Sequence, residues 1–246
     1  MSQSISQWEG CRIGITGASG ALGKALTKEF RLNGAFVIGI THKKILKSKE
    51  ESTKEAPQEW IQWTCGDENK LNKTLSSLDI LIINHGLNPK WMQDPESIDA
   101  SIEINALSSW RLIKNFESII LNRRIHKRRA ELWINSSEAE IQPAFSPAYE
   151  LSKRLIGQLV SLRWSNLHPN QRKNLFIRKL ILGPFKSELN PIGIMKPNFV
   201  ANMILLQSRL NLPLIIVSPN PITFFVMPIT EILRLFYYRL TKINKI

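Results

Sequence analysis

The run Thr16, Gly17, Ala18, Ser19, Gly20, Ala21, Leu22, Gly23, set between an apolar stretch and a helical pattern, constrains this chain more than any other feature. Glycines at a strand-to-helix turn permit positive φ, let a pyrophosphate approach the backbone, and allow the helix to pack close to its sheet. The helix N-terminus then offers free N–H groups and a partial positive charge to phosphates. Such a turn alone is weak evidence, because tight turns use glycine for structural reasons. Its context strengthens it: it follows the first of a series of strands that alternate with helices.

Apolar runs predict strands over residues 11–16, 36–40, 60–65, 79–84, 131–135, 175–182 and 214–218, and helical periodicity fills 21–33, 98–120, 147–167 and 197–209. This alternation implies right-handed βαβ crossovers and a parallel sheet covered on both faces. The expected fold is a Rossmann-type, doubly wound, three-layer α/β domain. A chain of 246 residues, 43% of them hydrophobic, can bury a substantial core at the size of one domain. Residues 1–246 are therefore read as a single domain with 219–246 as a C-terminal extension, and the charged stretch 43–58 as a mobile loop.

The net charge of +13 favours anionic partners without choosing among nucleotides, nucleic acid and anionic lipid. The densest basic cluster, Arg123, Arg124, His126, Lys127, Arg128 and Arg129, has no interleaved aromatics to stack bases, so it reads as a solvated loop and no nucleic-acid partner is expected. Cys11 and Cys65 are isolated and form no CxxC pair, which predicts reduced packing residues, no disulfide and no zinc site. The opening MSQSISQWEG lacks a basic stretch followed by an apolar run, so no signal peptide and a cytoplasmic location are expected.

Dinucleotide choice is set near the end of the second strand, where a carboxylate would accept from a ribose 2′-hydroxyl. The sequence there is Thr41, His42, Lys43, Lys44, with no acid. A hydroxyl and two lysines suit a 2′-phosphate, which favours NADP over NAD; alternatively the lysines only open the charged loop. Asp67 follows the third strand, where it would meet an adenine. Asn84, His85 and Gly86 follow the fourth, at the carboxyl edge where ligands of such folds bind. For Asn84 with Gly86, an ordinary turn is the competing reading.

Ser146 and Pro147 form a cap-plus-proline helix start, placing Tyr149 and Lys153 four residues apart in its opening turns. A phenol is a poor acid or base at neutral pH, and a neighbouring ammonium would lower its pKa into a usable range. Ser137, twelve residues before Tyr149 at the end of the preceding strand, could hydrogen-bond the same substrate oxygen. Ser136 competes for that role; strand alternation favours Ser137.

Taken in order, the TGASGALG turn, Asn84 to Gly86, Asn105, Ser137, the YELSK segment and the Gly183, Pro184 turn resemble the short-chain dehydrogenase/reductase family over almost the whole chain. The resemblance implies a nicotinamide cofactor held by Gly17, Ser19, Gly20, Ala21, Leu22 and Gly23, by Thr41, His42, Lys43 and Asp67, by Asn84, His85 and Gly86, and by Tyr149, Lys153, Gly183 and Pro184. It implies that Ser137 polarises a carbonyl, Tyr149 transfers the proton, Lys153 tunes the tyrosine and holds the nicotinamide ribose, and Asn105 supports a water relay. It also implies dimers or tetramers. Three departures bear on cofactor choice and substrate orientation: Ala21 stands where the family has glycine, Ile83-Asn84-His85-Gly86 replaces Asn-Asn-Ala-Gly, and the usual Pro-Gly is inverted at Gly183 and Pro184. SSEAE, YELSKR and LILGPFKSELNPIG further resemble a divergent bacterial subgroup, some members of which are joined to a sterol-desaturase-like membrane domain; no such domain is expected within these residues.

Leu189, Pro191, Ile192, Ile194 and Met195 predict an apolar substrate border, although loop packing explains them nearly as well. After the proline-punctuated stretch 219–228, a helix is expected in which Ile229, Ile232, Leu233, Phe236 and Leu240 share one face and Arg234, Tyr238 and Lys242 another. It suits peripheral membrane contact with basic groups toward headgroups, or packing on the core or a second subunit. The functional expectation is NAD(P)-dependent hydride transfer between a nicotinamide and an apolar carbonyl or alcohol. The rivals are a catalytically silent dinucleotide-binding sensor or scaffold, and a basic nucleic-acid-binding protein that would explain the charge but none of the ordered motifs.

Overall fold

Inner strands that are apolar on both faces, such as Ile80–Ile83, can be satisfied only between two helical layers. The computed structural model, which describes residues 6–44, 55–123 and 128–243, has that arrangement. The strands are β1 (Arg12–Thr16), β2 (Phe36–Thr41), β3 (Glu59–Gln62), β4 (Ile80–Ile83), β5 (Ala130–Ser137), β6 (Leu175–Leu182) and β7 (Leu214–Val217). All neighbours run parallel in the order β3-β2-β1-β4-β5-β6-β7, a Rossmann-type doubly wound sheet. The order reverses between β1 and β4, which opens a crevice at their carboxyl ends.

On one face lie α1 (Ala21–Leu32) and α7 (Pro197–Arg209), whose Leu26, Phe30, Val200 and Ile204 pack on Ile13, Ile15 and Val37. On the other lie α2 (Asn72–Leu75), α4 (Ser108–Leu121) and α5 (Pro147–Asn166), with Leu75, Phe116, Ile156 and Val160 against Ile38, Leu81 and Ile134. Two further helices are α3 (Pro95–Ile102) and the short α6 (Pro169–Asn174). Cys11 and Cys65 are both free.

Two helices depart from expectation. The one expected over 98–120 starts earlier, at Pro95, because the Asp94 carboxylate accepts the Ser97 N–H at 2.9 Å and proline fills the first position. A π-helical turn, Glu103–Leu107, then breaks its period before α4. The C-terminal helix α8 (Pro221–Ile243) also begins before residue 229. Pro221 stands at its start, where a missing N–H costs nothing, Asn220 accepts the Ile222 N–H at 3.0 Å, and Pro228 is carried inside.

α8 is fastened to the sheet and α5 by a buried ionic cluster. Lys179, in the middle of β6, donates to Glu140 at 2.8 Å, to Glu231 of α8 at 2.7 Å and to the Gly157 carbonyl of α5 at 3.0 Å. Arg234 of α8 closes the cluster at 2.7 Å from Glu140 and 2.9 Å from Glu231. This corrects the expectation for Arg234: its guanidinium faces inward rather than toward headgroups, because two buried carboxylates require more than one cation.

Part of the charged stretch, 45–54, and of the basic cluster, 124–127, lie outside the described residues. The described cations of that cluster are held by protein: Arg123 by the Ser76 carbonyl, Arg128 by Cys11 and the Gln7 and Glu9 carbonyls, and Arg129 over the Phe176 ring.

Candidate active site

The glycine turn is shaped by steric necessity. Gly17 has φ +64°, and a Cβ there would stand 2.9 Å from His85 Cα; one on Gly23 would stand 2.3 Å from the Gly17 carbonyl oxygen. These two glycines let the turn seat on the β4 loop and let α1 start directly above it. At the N-terminus of α1, Gly20 provides no capping side chain and the first turn has no acid. Backbone N–H groups at that end are therefore open to an anion. Ala21 and Leu22 begin the helix, with Leu22 buried, so the alanine that departs from the family pattern is accommodated as an ordinary helical residue.

Beside the turn, the Ser19 and Thr41 hydroxyls are 2.9 Å apart, and Thr41 also accepts the Lys43 N–H at 3.1 Å. His42, Lys43 and Lys44 are exposed. Lys43 reaches Glu188 of the loop after β6 at 3.5 Å, and Asn88 of the loop after β4 donates to the Leu189 carbonyl at 3.3 Å. The tip of the β6 loop thus bridges the carboxyl edge from β6 toward β2. Its base is tied by the Pro184 carbonyl, which accepts the Ile194 and Met195 N–H groups, while Gly183 lies tightly against Ser218 and Pro219. Ile192 and Ile194 are exposed, whereas Met195 is buried in the core.

Asp67 sits at the surface, 2.6 Å from Lys70. Its neighbour Glu68, which the sequence reading passed over, is the buried acid. Burial pushes its carboxyl up, but Arg111, the Gly66 N–H and Ser108 outweigh that and hold it at about 2. The His85 ring turns away from the crevice into the protein, with Nδ1 2.8 Å from the Thr16 hydroxyl and its edge against Trp63. Burial, aided by the Lys153 charge, lowers its pKa to about 4, so it is neutral at ordinary pH. What His85 and Gly86 offer the crevice is therefore backbone.

β5 carries the serine pair. Ser136 donates to Glu140 at 2.5 Å on the α8 side, while Ser137 lies beside the Tyr149 phenol, where its hydroxyl pulls that pKa down. Of the two serines, the fold brings Ser137 to Tyr149. Burial has the larger effect and pushes the phenol above its ordinary value, so the expectation that a neighbouring ammonium would lower it does not describe this arrangement. Lys153 is buried, and desolvation brings its ammonium down to about 8. It donates to the Asn135 carbonyl at 3.1 Å and lies 5.6 Å from the centroid of the Tyr149 ring.

The Asn135 side chain donates to Asn84 at 2.9 Å, and Asn84 donates to the Gly17 carbonyl at 3.4 Å. A chain of hydrogen bonds therefore joins Lys153 to the glycine turn, and sequence reading had missed its middle member. Asn105, turned inward by the π-helical turn, grips Leu87 at both ends: its oxygen accepts the Leu87 N–H at 2.7 Å and its amide donates to the Leu87 carbonyl at 2.8 Å. It also donates to Ser152 at 2.8 Å, on the turn between Tyr149 and Lys153. Asn105 thus fastens the loop after β4 to the helix that carries the phenol.

The bare glycines, uncapped helix start, exposed lysines and adjoining phenol, ammonium and hydroxyl fit a nicotinamide dinucleotide laid along the carboxyl edge. Comparison with known proteins agrees. The fold is shared with a short chain dehydrogenase from Burkholderia cenocepacia J2315 solved in complex with NADP, at TM-score 0.72 and 18% identity over 90% of this chain and 93% of that one. It is shared equally with a bulky-bulky ketone specific alcohol dehydrogenase from Comamonas testosteroni, at TM-score 0.73 and 17% identity over 96% and 94% of the two chains. In sequence the chain is 40% identical over 231 residues to the monoglucosyldiacylglycerol epimerase of Synechocystis sp., an alignment covering 94% of this chain and 55% of that relative, so the chain spans about half its length. Residues 13–143, more than half the chain, match the NAD dependent epimerase/dehydratase family. This chain belongs to the NAD-dependent epimerase/dehydratase family of Rossmann-fold enzymes.

Proposed function

We propose that this protein catalyses reversible hydride transfer at a secondary carbinol of a lipid-linked sugar, so that oxidation followed by reduction from the opposite face inverts that carbon. The observation that carries the chemistry is the convergence of Ser137, Tyr149 and Lys153 at the carboxyl edge beside the glycine turn. The sugar-lipid substrate is suggested by the 40% identical relative, an epimerase of monoglucosyldiacylglycerol, and by the exposed Ile192 and Ile194 on the β6 loop. An epimerisation is also a carbonyl/alcohol interconversion, performed twice.

Bound beside these residues, the nicotinamide supplies the hydride acceptor and donor. Ser137 donates to the substrate oxygen and holds it against Tyr149. The Tyr149 Oη takes the hydroxyl proton as the carbinol becomes a carbonyl and returns it on reduction. Lys153, charged below its pKa of about 8, stands 5.6 Å from the centroid of the Tyr149 ring, where it would hold the nicotinamide ribose. Asn105 and Asn135 act through position: one holds the loop under the cofactor, the other links Lys153 to that loop. Gly17, Gly20 and Gly23 with the start of α1 would hold the pyrophosphate, and Thr41, His42 and Lys43 a 2′-phosphate, which favours NADP.

The test is incubation of the purified chain with catalytic NADP and a monoglucosyldiacylglycerol deuterated at the ring carbinols. The reading expects an epimeric hexosyl lipid that retains its deuterium, with no net change in reduced cofactor. Accumulation of a keto-lipid with stoichiometric NADPH instead would make the enzyme a dehydrogenase. Cofactor binding without turnover on glycolipids or on apolar ketones would favour the silent sensor.

A further inference from the structure

The two sides of α8 are exchanged relative to an ordinary surface helix. Thr223, Met227, Glu231, Arg234 and Tyr238 follow at three- and four-residue steps and form the inward stripe. Thr223 reaches Glu138, Met227 is buried with Ile181 and Ile216, Glu231 and Arg234 join the Lys179 cluster, and Tyr238 donates to Gln158. The opposite stripe, Ile222, Phe225, Ile229, Ile232, Phe236 and Leu240, is 48% to 72% exposed. A helix on a water-soluble surface turns its apolar stripe to the core. Rolling α8 over would strand two buried carboxylates and Lys179 without partners, so the ionic cluster fixes the reversed orientation. The result is an apolar ridge about 27 Å long, at 1.5 Å per residue, of the kind that marks an interaction site.

Charge selects the occupant. Glu231 is the only acid on α8 and is buried, whereas Arg239 is exposed beside the ridge. On the loops after β4, β5 and β6 the same pairing recurs, with Trp91, Phe145 and Ile192 exposed and accompanied by exposed Lys90, Lys186 and Lys196. A surface of this kind suits an apolar layer beneath anionic groups, and the chain's net charge of +13 has the same sense. No helix among the described residues is long and apolar enough to cross a membrane. We infer that α8 lies along the headgroup region of an anionic bilayer, ridge inward, holding the enzyme at the lipid surface. This goes beyond the proposed reaction and does not depend on it.

The experiment is co-sedimentation of the full chain with vesicles of phosphatidylcholine alone and of phosphatidylcholine with an equal part of phosphatidylglycerol. The expected result is binding at least tenfold tighter to the phosphatidylglycerol vesicles, reduced at least tenfold in Ile232→Glu/Phe236→Glu with melting temperature and NADPH affinity unchanged. The milder Ile229→Ser/Leu240→Ser serves should the first variant fail to fold. Wild-type protein that ignores both vesicles, or folded variants that bind like wild type, would overturn the inference. So would a wild-type dimer that becomes monomeric in the variants without any vesicle binding, which would give the ridge to a second copy. None of these outcomes bears on turnover, which is read separately with detergent-dispersed substrate.

Discussion

The ammonium of Lys153 lies 5.6 Å from the centroid of the Tyr149 ring and is tied at 3.1 Å to the carbonyl of Asn135, near the end of the strand that carries Ser137. That position places a desolvated cation beside a desolvated phenol. The fold carries a desolvation cost there.

The cost is measurable through Lys153. Its pKa falls to about 8 in the fold against an ordinary 10.5, so the unfolded chain binds the extra proton between those values. Stability therefore rises as pH increases through that window, and the full penalty applies below it. Lys153→Met should stabilise the protein at pH 7 by about 2 kcal/mol, the shift less one lost hydrogen bond, while abolishing turnover. Thermal melts of both proteins at pH 7 and pH 10 check this; the gap should close at the higher pH.

His85 makes the opposite end of the pH range sensitive. Its pKa of about 4 lies below the ordinary 6.5, so on acidification the unfolded chain protonates first. Stability should fall between about pH 6.5 and pH 4 by about 2 kcal/mol. In His85→Gln that decline should be much shallower, as read by urea midpoints across the window.

The ionic cluster beneath α8 predicts a context-dependent effect. Lys179→Met leaves Glu140 and Glu231 sharing only Arg234, and should cost about 3–5 kcal/mol. Adding Glu140→Gln alone should restore much of that loss, because one carboxylate, Glu231, is then left for the one guanidinium of Arg234. Urea unfolding of the single and double variants separates this from simple loss of packing.

Glu188 pairs with Lys43, the proposed 2′-phosphate ligand, across the carboxyl edge at 3.5 Å. Both side chains are largely exposed, so the pair is weak. Glu188→Gln should tighten NADPH binding by up to about fivefold, the equivalent of at most about 1 kcal/mol, and leave NADH binding unchanged. Calorimetry with the two cofactors decides it; equal changes for both would remove Lys43 from the 2′-phosphate site.

The alternation of strands and helices was legible because two-sided burial writes continuous apolar runs, and β6 and α7 fall within the expected limits. The candidate site was legible where particular residues stand in sequence order, as at Gly17, Ser137, Tyr149 and Lys153, which the fold brings to one edge of the sheet. What escaped was long-range pairing. Lys179 in an apolar strand signals a buried partner, but nothing local names Glu140 and Glu231, which are distant in sequence. Asn105 was named for a water relay, but its grip on Leu87 escaped because its inward turn depends on a π-helical turn that no periodicity marks. Pro221 and Pro228 read as breakers, so the start of α8 was placed too late and its reversed packing, fixed by tertiary ion pairs, stayed hidden.

In the proposed reaction the Tyr149 phenol moves the substrate proton beside a bound nicotinamide. The most direct test of that step is Tyr149→Phe, assayed for conversion of a secondary alcohol or its ketone and, in parallel, for NADPH affinity. The expected result is a loss of turnover of about 10²–10⁴-fold with cofactor affinity unchanged within twofold. Turnover within tenfold of wild type would contradict it.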